Sequence, residues 1–284
     1  NANMFTLMKQ FQQRGYDTKF IYGGLGYFDN MNSYFAGNGT VIVDRNTIKD
    51  KEITFSNAWG ICDEDLYKRA LKECELSFSG GKPFFSLILS TSNHRPFTYP
   101  QTIDIPSGSG REGAVKYTDY AIGRFLREAK SQPWFDSTIF VIVADHCAGS
   151  AGEAEINFAK YHIPLLFYAP RWIKAQRVDT LASQIDLAPT LLGLLNFSYD
   201  SLFFGHDLMK SSRSRIMVGN YQKLGYSDGK HLLLLLPQKK TSYYAIKEKR
   251  MNKEKIPVDE PLLEDAIAYY QAAYYVLSRN LYQK

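Results

Sequence analysis

Only three cysteines occur among the 284 residues, Cys62, Cys74 and Cys147, too few for the disulfide framework of a small secreted scaffold. If residues 63–78 form one helix, Cys62 and Cys74 stand about 18 Å apart along its axis at 1.5 Å per residue. That exceeds the roughly 7 Å Cα limit for a bridge, so free thiols are expected. Long apolar runs are missing as well. The longest, residues 138–144 and 232–237, fall far short of the roughly 20 residues a helix needs to cross a bilayer. No leader pattern precedes the first amphipathic helix. Asn1-Ala2 reads as an expression remnant, so the natural chain is expected to extend further at this end. The net charge of +5 comes without a dense basic block or zinc-finger spacing, and no nucleic-acid partner is expected. A dinucleotide fingerprint fails after Gly24-Leu25-Gly26, because Asp29 stands where the third glycine belongs. No G-x-S-x-G elbow marks a serine hydrolase.

What is present argues for a substantial core. Apolar residues make up 45% of the chain and charged residues 22%, which excludes intrinsic disorder. The 20 tyrosines, 18 phenylalanines and 3 tryptophans favour a packed domain with a cleft able to hold organic or sugar-like groups. Helices are predicted for the segment around Phe5–Phe11 and for residues 28–35, 63–78, 114–129 and 186–195; strands are predicted at 18–22, 84–89, 138–144 and 163–168. Strands and helices alternate to about residue 200, the pattern of an α/β fold whose mostly parallel central sheet carries helices on both faces. Beyond that, short strands at 216–220, 231–236 and 242–246 precede a terminal helix striped by Leu263, Ile267, Tyr270, Tyr274, Leu277 and Leu281. The expected division is an α/β domain over 1–212 and a small C-terminal β-rich subdomain with the terminal helix over 213–284.

The strongest chemical signal is Val141-Ile142-Val143-Ala144-Asp145-His146, a buried strand ending in a carboxylate beside an imidazole. In open parallel sheets, ligands bind beyond the carboxyl ends of strands, and Asp with neutral His suits zinc or manganese. The bland alternative is that Asp145 caps a turn and His146 is half exposed. The second signal is Ser92-Asn93-His94-Arg95-Pro96-Phe97 after the strand at 84–89, which would bring His94 to the same sheet edge as Asp145 and His146. His162 precedes a strand and is assigned a structural role, and His206 the ordering of a loop. Cys147 is set aside because three successive ligands are geometrically awkward. Asp63, in Trp59-Gly60-Ile61-Cys62-Asp63, is expected to cap a helix.

Several stretches in combination resemble the sulfatase branch of the alkaline phosphatase superfamily: Tyr117-Thr118-Asp119-Tyr120-Ala121-Ile122-Gly123-Arg124-Phe125-Leu126, Phe135-Asp136-Ser137-Thr138 with the strand into Asp145-His146, and Gln184-Ile185-Asp186-Leu187-Ala188-Pro189-Thr190-Leu191-Leu192. More narrowly, Phe20-Ile21-Tyr22-Gly23-Gly24, Phe28-Asp29-Asn30-Met31, the His94 segment and Phe204-Gly205-His206-Asp207-Leu208 resemble lipoteichoic acid synthases and related membrane phosphoglycerol transferases. The resemblance spans about residues 3–230.

The resemblance implies an alkaline phosphatase/sulfatase-like fold and a divalent metal, manganese or zinc, held in part by Asp145 and His146. It implies that His94 contacts the transferred phosphate as a candidate proton donor. Phe28 and Asn30 match the aromatic and polar residues of a glycerophosphate pocket, with the family's Trp-x-Arg pattern replaced. The partners it implies are a phospholipid head group and a glycan or polyol acceptor, at the outer face of the inner membrane or in the periplasm. Membrane association would come through an N-terminal region outside this sequence. The family's threonine nucleophile and acidic metal ligand precede the segment that starts here. Thr6 is read as lying inside the first helix, without an activating neighbour. Sulfate-ester or phosphodiester hydrolysis on the same scaffold, and a non-catalytic lipid- or glycan-binding domain, remain alternative readings.

Overall fold

The Thr6 hydroxyl accepts the Lys9 backbone N–H at 3.1 Å, and this cap opens the first helix, α1 (Leu7–Gln12). Thr6 thus stands at the helix start rather than inside it, because a short hydroxyl side chain satisfies an N–H that the first turn leaves without a partner. The computed structural model describes residues 2–148, 156, 158–211, 213, 215–247 and 250–283. Two compact units divide the chain, Asn1–Thr138 with Gln283–Lys284, and Ile139–Tyr282.

In the first unit α1 is followed by β1 (Asp17–Tyr22), α2 (Met31–Gly37), β2 (Val41–Val43), the short strands β3 (Ser56–Asn57) and β4 (Gly60–Ile61), α3 (Asp63–Ser79), β5 (Phe84–Leu89) and α4 (Arg111–Ala129). Three strands form a parallel sheet in the order β2-β1-β5, with Lys19 opposite both Val41 and Ser86. Successive side chains of β1 point to opposite faces, and each face meets helices. On one, Phe20 stacks on Phe35 of α2 at 4.1 Å. Phe85, paired with Thr18 and so on that same face, stacks on Phe11 of α1 at 4.4 Å. On the other, Lys19 reaches α3, where its ammonium meets the Glu73 carboxylate at 2.8 Å and donates to the Glu73 carbonyl at 2.8 Å. The parallel sheet with helices on both faces is therefore as expected. α4 packs through Ala114 and Tyr117 against Cys62 and Tyr99, the two tyrosine rings stacked at 4.8 Å.

The second unit holds β6 (Phe140–Val143), β7 (Leu165–Tyr168) and α5 (Leu187–Leu194). A five-stranded antiparallel sheet follows, made of β8 (Ile216–Asn220), β9 (Lys223–Ser227), β10 (His231–Leu235), β11 (Thr241–Lys247) and β12 (Arg250–Lys255) in the order β12-β11-β10-β9-β8, and then α6 (Glu260–Ser278). β7 runs antiparallel to β6, with Phe140 opposite Tyr168, rather than extending a parallel sheet. An apolar run fixes burial but carries no information about strand direction.

The five leucines from 232 to 236 make sense once both faces of β10 are covered. Leu232 and Leu234 pack with Ile156, Val218 and Tyr244, while Leu233 packs with Tyr226, Tyr243 and Ala266 of α6. α6 uses Leu262, Leu263, Ala266 and Tyr269 for this contact. The apolar stripe read from the sequence is half-buried in its first half, at Leu263, Ile267 and Tyr270, and Tyr274, Leu277 and Leu281 are exposed. Asp186 stands at the N-cap of α5 without a side-chain cap bond; its carboxylate instead accepts the Ser183 N–H at 2.8 Å, in a capping box that opens the 3₁₀ turn Gln184–Asp186 ahead of α5.

Candidate functional site

β5 delivers the chain to residues 90–97, and the turn there is bolted to the start of α3. Asp63, the first residue of that helix, caps nothing. Its Oδ1 accepts the backbone N–H groups of Thr91 and Ser92 at 3.0 and 3.1 Å, its Oδ2 accepts the Thr118 hydroxyl at 2.9 Å, and its own N–H donates to Ser92 Oγ at 3.1 Å. The carboxyl is fully buried. Burial pushes its pKa up, while the hydrogen bonds from Thr91, Ser92 and Thr118 act in the opposite direction. On this support the His94 N–H donates to Thr91 O at 3.2 Å and the Phe97 N–H to His94 O at 2.7 Å, a tight turn that fixes where His94 leaves the strand.

His94 lies flat on Trp59, ring centroids 3.9 Å apart and planes within 18°. Phe28 meets the same indole edge-on at 5.7 Å. The structure therefore brings the predicted residues Phe28 and His94 to one aromatic side chain that the sequence reading left without a role. Trp59 is 35 residues from His94, and no spacing rule joins them. Phe28 is 45% exposed and begins a 3₁₀ turn, Phe28–Asn30, ahead of α2. Asn30 is left-handed at φ 57° and stands at the N-cap of α2 without a side-chain cap bond. Asp44, after β2, holds this loop by accepting from Gly26 N at 3.1 Å and Asn32 Nδ2 at 2.9 Å.

Asp145 and His146 lie in the second unit, just past β6, with side chains 59% and 68% exposed. Asp145 Oδ1 accepts the His146 backbone N–H at 2.8 Å. Gln184 Nε2 donates to the Asp145 carbonyl at 2.6 Å, tying this corner to the turn before α5. The imidazole Nδ1 lies 2.7 Å from the Cys147 carbonyl. A carbonyl only accepts, so Nδ1 donates to it, and in the neutral ring the lone pair falls on Nε2. Nε2 is 3.6 Å from Asp145 Oδ2. Two donors on one tetrahedral zinc ion stand about 3.3–3.6 Å apart at bond lengths of 2.0–2.2 Å, so the pair fits a divalent ion in donor type, tautomer and spacing. It supplies two ligands, and among the described residues no cluster of three or more His, Cys, Asp or Glu is arranged to hold a metal. Cys147 and His162 line a cavity of this unit together with Asp145 and His146. β5 and β6 belong to separate sheets.

In the second unit His206 orders its loop through its backbone, its N–H donating to Asp186 Oδ1 at 2.9 Å. All three cysteines are free thiols.

Comparison with known proteins gives one consistent answer. The family description "Sulfatase" matches residues 2–197. Phosphoglycerol transferase I of Xanthomonas campestris pv. campestris is 28% identical over 209 residues, 70% of this chain and 30% of that protein. Lipoteichoic acid synthase 2 of Bacillus subtilis is 24% identical over 229 residues, 72% of this chain and 35% of that protein. The chain spans about a third of the length of these relatives. Among solved structures, a protein in the alkaline phosphatase superfamily from Vibrio parahaemolyticus superimposes with a TM-score of 0.92 at 34% identity, covering 100% of this chain and 70% of that one. The lipoteichoic acid synthase LtaP from Listeria monocytogenes superimposes with a TM-score of 0.76 at 19% identity, covering 96% and 73%. The likeness to LtaP is one of fold.

Proposed function

The chain belongs to the sulfatase family, and from that premise we propose that it is the C-terminal part of the catalytic domain of a metal-dependent phosphoglycerol transferase. The donor is a phospholipid head group and the acceptor a glycan or polyol of the cell envelope. The work is done at the extracytoplasmic face of a membrane to which other parts of the protein anchor it. The names of the Xanthomonas and Bacillus relatives support the reaction class. The observation that carries the reading is the His94 turn: a histidine presented after a parallel strand, in a turn fastened by the buried Asp63, on the same indole that Phe28 meets.

In this reading Phe28 and Asn30 line the head-group pocket, and His94 contacts the transferred phosphate and hands a proton to the departing oxygen. Asp145 and His146 hold manganese or zinc. When bound there, the ion supplies positive charge against phosphoryl and alkoxide oxygens. The Cys147 carbonyl keeps the His146 ring in the tautomer that leaves Nε2 available. The family resemblance puts the nucleophile, a threonine, outside this sequence; Thr6 serves as the α1 cap, accepting the Lys9 N–H.

The test compares this chain with the longer parent protein on a fluorescent phosphatidylglycerol, with and without manganese. The parent turns over and this chain does not. In the parent, His94→Ala costs roughly 10²–10⁴-fold, and His146→Ala abolishes the manganese dependence. Turnover by this chain alone overturns the external nucleophile, and an inactive parent favours a binding domain.

A further inference from the structure

Trp59 is held through its backbone and through its indole, which Phe28 also meets edge-on, and one of its partners is the histidine itself. Its Nε1–H donates to the Arg95 carbonyl at 2.6 Å, its backbone N–H donates to Asn57 Oδ1 at 2.8 Å, and its face covers the His94 imidazole at 3.9 Å. The first contact closes a small loop, because Arg95 directly follows the histidine that the indole covers. The turn that presents Trp59 is equally constrained. Gly60 adopts φ +141°, and a Cβ there would run into the Gly23 carbonyl, while the Ile61 N–H donates to that same carbonyl at 3.0 Å.

We propose that Trp59 is a positioning residue for His94: the indole fixes the plane of the imidazole, and its Nε1–H clamps the turn that carries it. A ring held parallel to a neighbour at 3.9 Å cannot swing about its χ2 axis without colliding with that neighbour. Both imidazole nitrogens lie in the ring plane, so their hydrogen-bond directions are forced to run alongside the indole instead of into it. A phosphate meets the ring edge-on, in the one geometry that allows proton transfer through a nitrogen. The proposal rests on the assignment of His94 to the phosphate, and the experiment has one arm for each.

The first arm is long-range ¹H–¹⁵N NMR of the histidine rings in this chain, with His94 assigned by comparison with His94→Gln. Stacking on an indole shifts the His94 ring protons upfield. Trp59→Leu is expected to move them back toward exposed values, and Trp59→Phe, which keeps a ring face but loses the N–H, to retain most of the upfield shift. Unchanged His94 resonances in a folded Trp59→Leu protein overturn the proposal. The second arm is turnover by the parent protein. Trp59→Leu is expected to lower kcat by roughly 10–100-fold, more than any change in KM passed on through Phe28 on the same indole, because orientation of the proton donor is lost, and Trp59→Phe to recover most of it. A Trp59→Leu enzyme with normal kcat beside an inactive His94→Ala enzyme overturns the positioning role while leaving His94 in place. A fully active His94→Ala enzyme overturns both.

Discussion

Asp186 and Arg215 form a two-pronged ion pair in the interior of the second unit. Nη2 donates to Oδ1 at 3.0 Å and Nη1 to Oδ2 at 3.2 Å, with each side chain 2% exposed. Burial alone would raise the Asp186 pKa, but the hydrogen bonds from Arg215, Ser183 and His206 hold it below the usual carboxylate range. Arg215 also donates through Nε to the Tyr269 hydroxyl at 3.0 Å. One guanidinium therefore joins the start of α5, the beginning of the antiparallel sheet and α6.

Removing one half of such a pair strands the other in a medium that cannot solvate it. Arg215→Met is expected to destabilise the second unit by about 3–5 kcal/mol, read as a fall in the urea midpoint. The double variant Asp186→Asn/Arg215→Met is expected to recover part of that loss. A single variant within about 0.5 kcal/mol of the parent, the range of ordinary surface changes, would show that the pair is dispensable.

His206 sits beside the same cluster. Burial first, then the positive charges of Arg215 and Arg213, hold its pKa below 6.5, against a weaker pull from Asp186. The folded state thus prefers the neutral imidazole and binds fewer protons than the unfolded chain. Its contribution is present above pH 6.5 and is lost as pH falls through the lowered folded value. Thermal melts between pH 7 and pH 5 should show a decline in Tm that flattens in His206→Gln. An equal slope in both proteins would place the acid sensitivity elsewhere.

Asp63→Ala leaves two buried N–H groups, those of Thr91 and Ser92, without an acceptor. Each such group costs about 1–3 kcal/mol. Amide exchange at Thr91 and Ser92 should accelerate while exchange in the middle of β1 stays slow. Asp63→Asn keeps an acceptor oxygen and removes the burial of a charge that pushes the carboxyl pKa up, so its effect is expected to be smaller. Unchanged protection in Asp63→Ala would mean that the turn holds itself.

Thiol chemistry should separate the three cysteines. Burial pushes Cys62 and Cys74 up to about 11, so at pH 8 both remain protonated as well as covered. Cys147 is partly exposed. A disulfide reagent at pH 8 should modify one thiol quickly, and Cys147→Ser should abolish that phase. Two fast equivalents would contradict the burial of Cys62 or Cys74.

Much of the chain could be read from its residues, and the failures share a cause. The β-branched and aliphatic run at 138–144 contains β6, and the strand expected at 216–220 is β8 to the residue, because a short β-branched and aliphatic run reads as a strand even where it is only part-buried. β9, with the sequence Lys-Leu-Gly-Tyr-Ser, escaped that reading because a lysine and a glycine interrupt the pattern, and only its neighbours β8 and β10 make it a strand. Asp145 and His146 stand out in the sequence as a candidate pair because they adjoin. Asp63 was visible as a polar residue at a helix start, but its true partner lies 28 residues away. The same holds for Trp59. Local sequence names the groups at a site, while the residues that hold them in place come from elsewhere in the chain.

Lys19, 6% exposed in the central strand of the parallel sheet, works like a notch on a ruler. Its ammonium is held by the Glu73 carboxylate and carbonyl, with Asp17 of its own strand 3.4 Å away, so a slip of α3 along the sheet by one helical turn, about 5.4 Å, would cost this buried cation both of its α3 partners. Asp63 lies ten residues earlier on that same rigid rod, about 15 Å along its axis. The notch at Lys19 thereby sets where the Asp63 carboxylate meets Thr91 and Ser92, and through them where His94 stands. A change at Glu73, ten residues along α3 from Asp63, is expected to alter the alignment of the His94 turn.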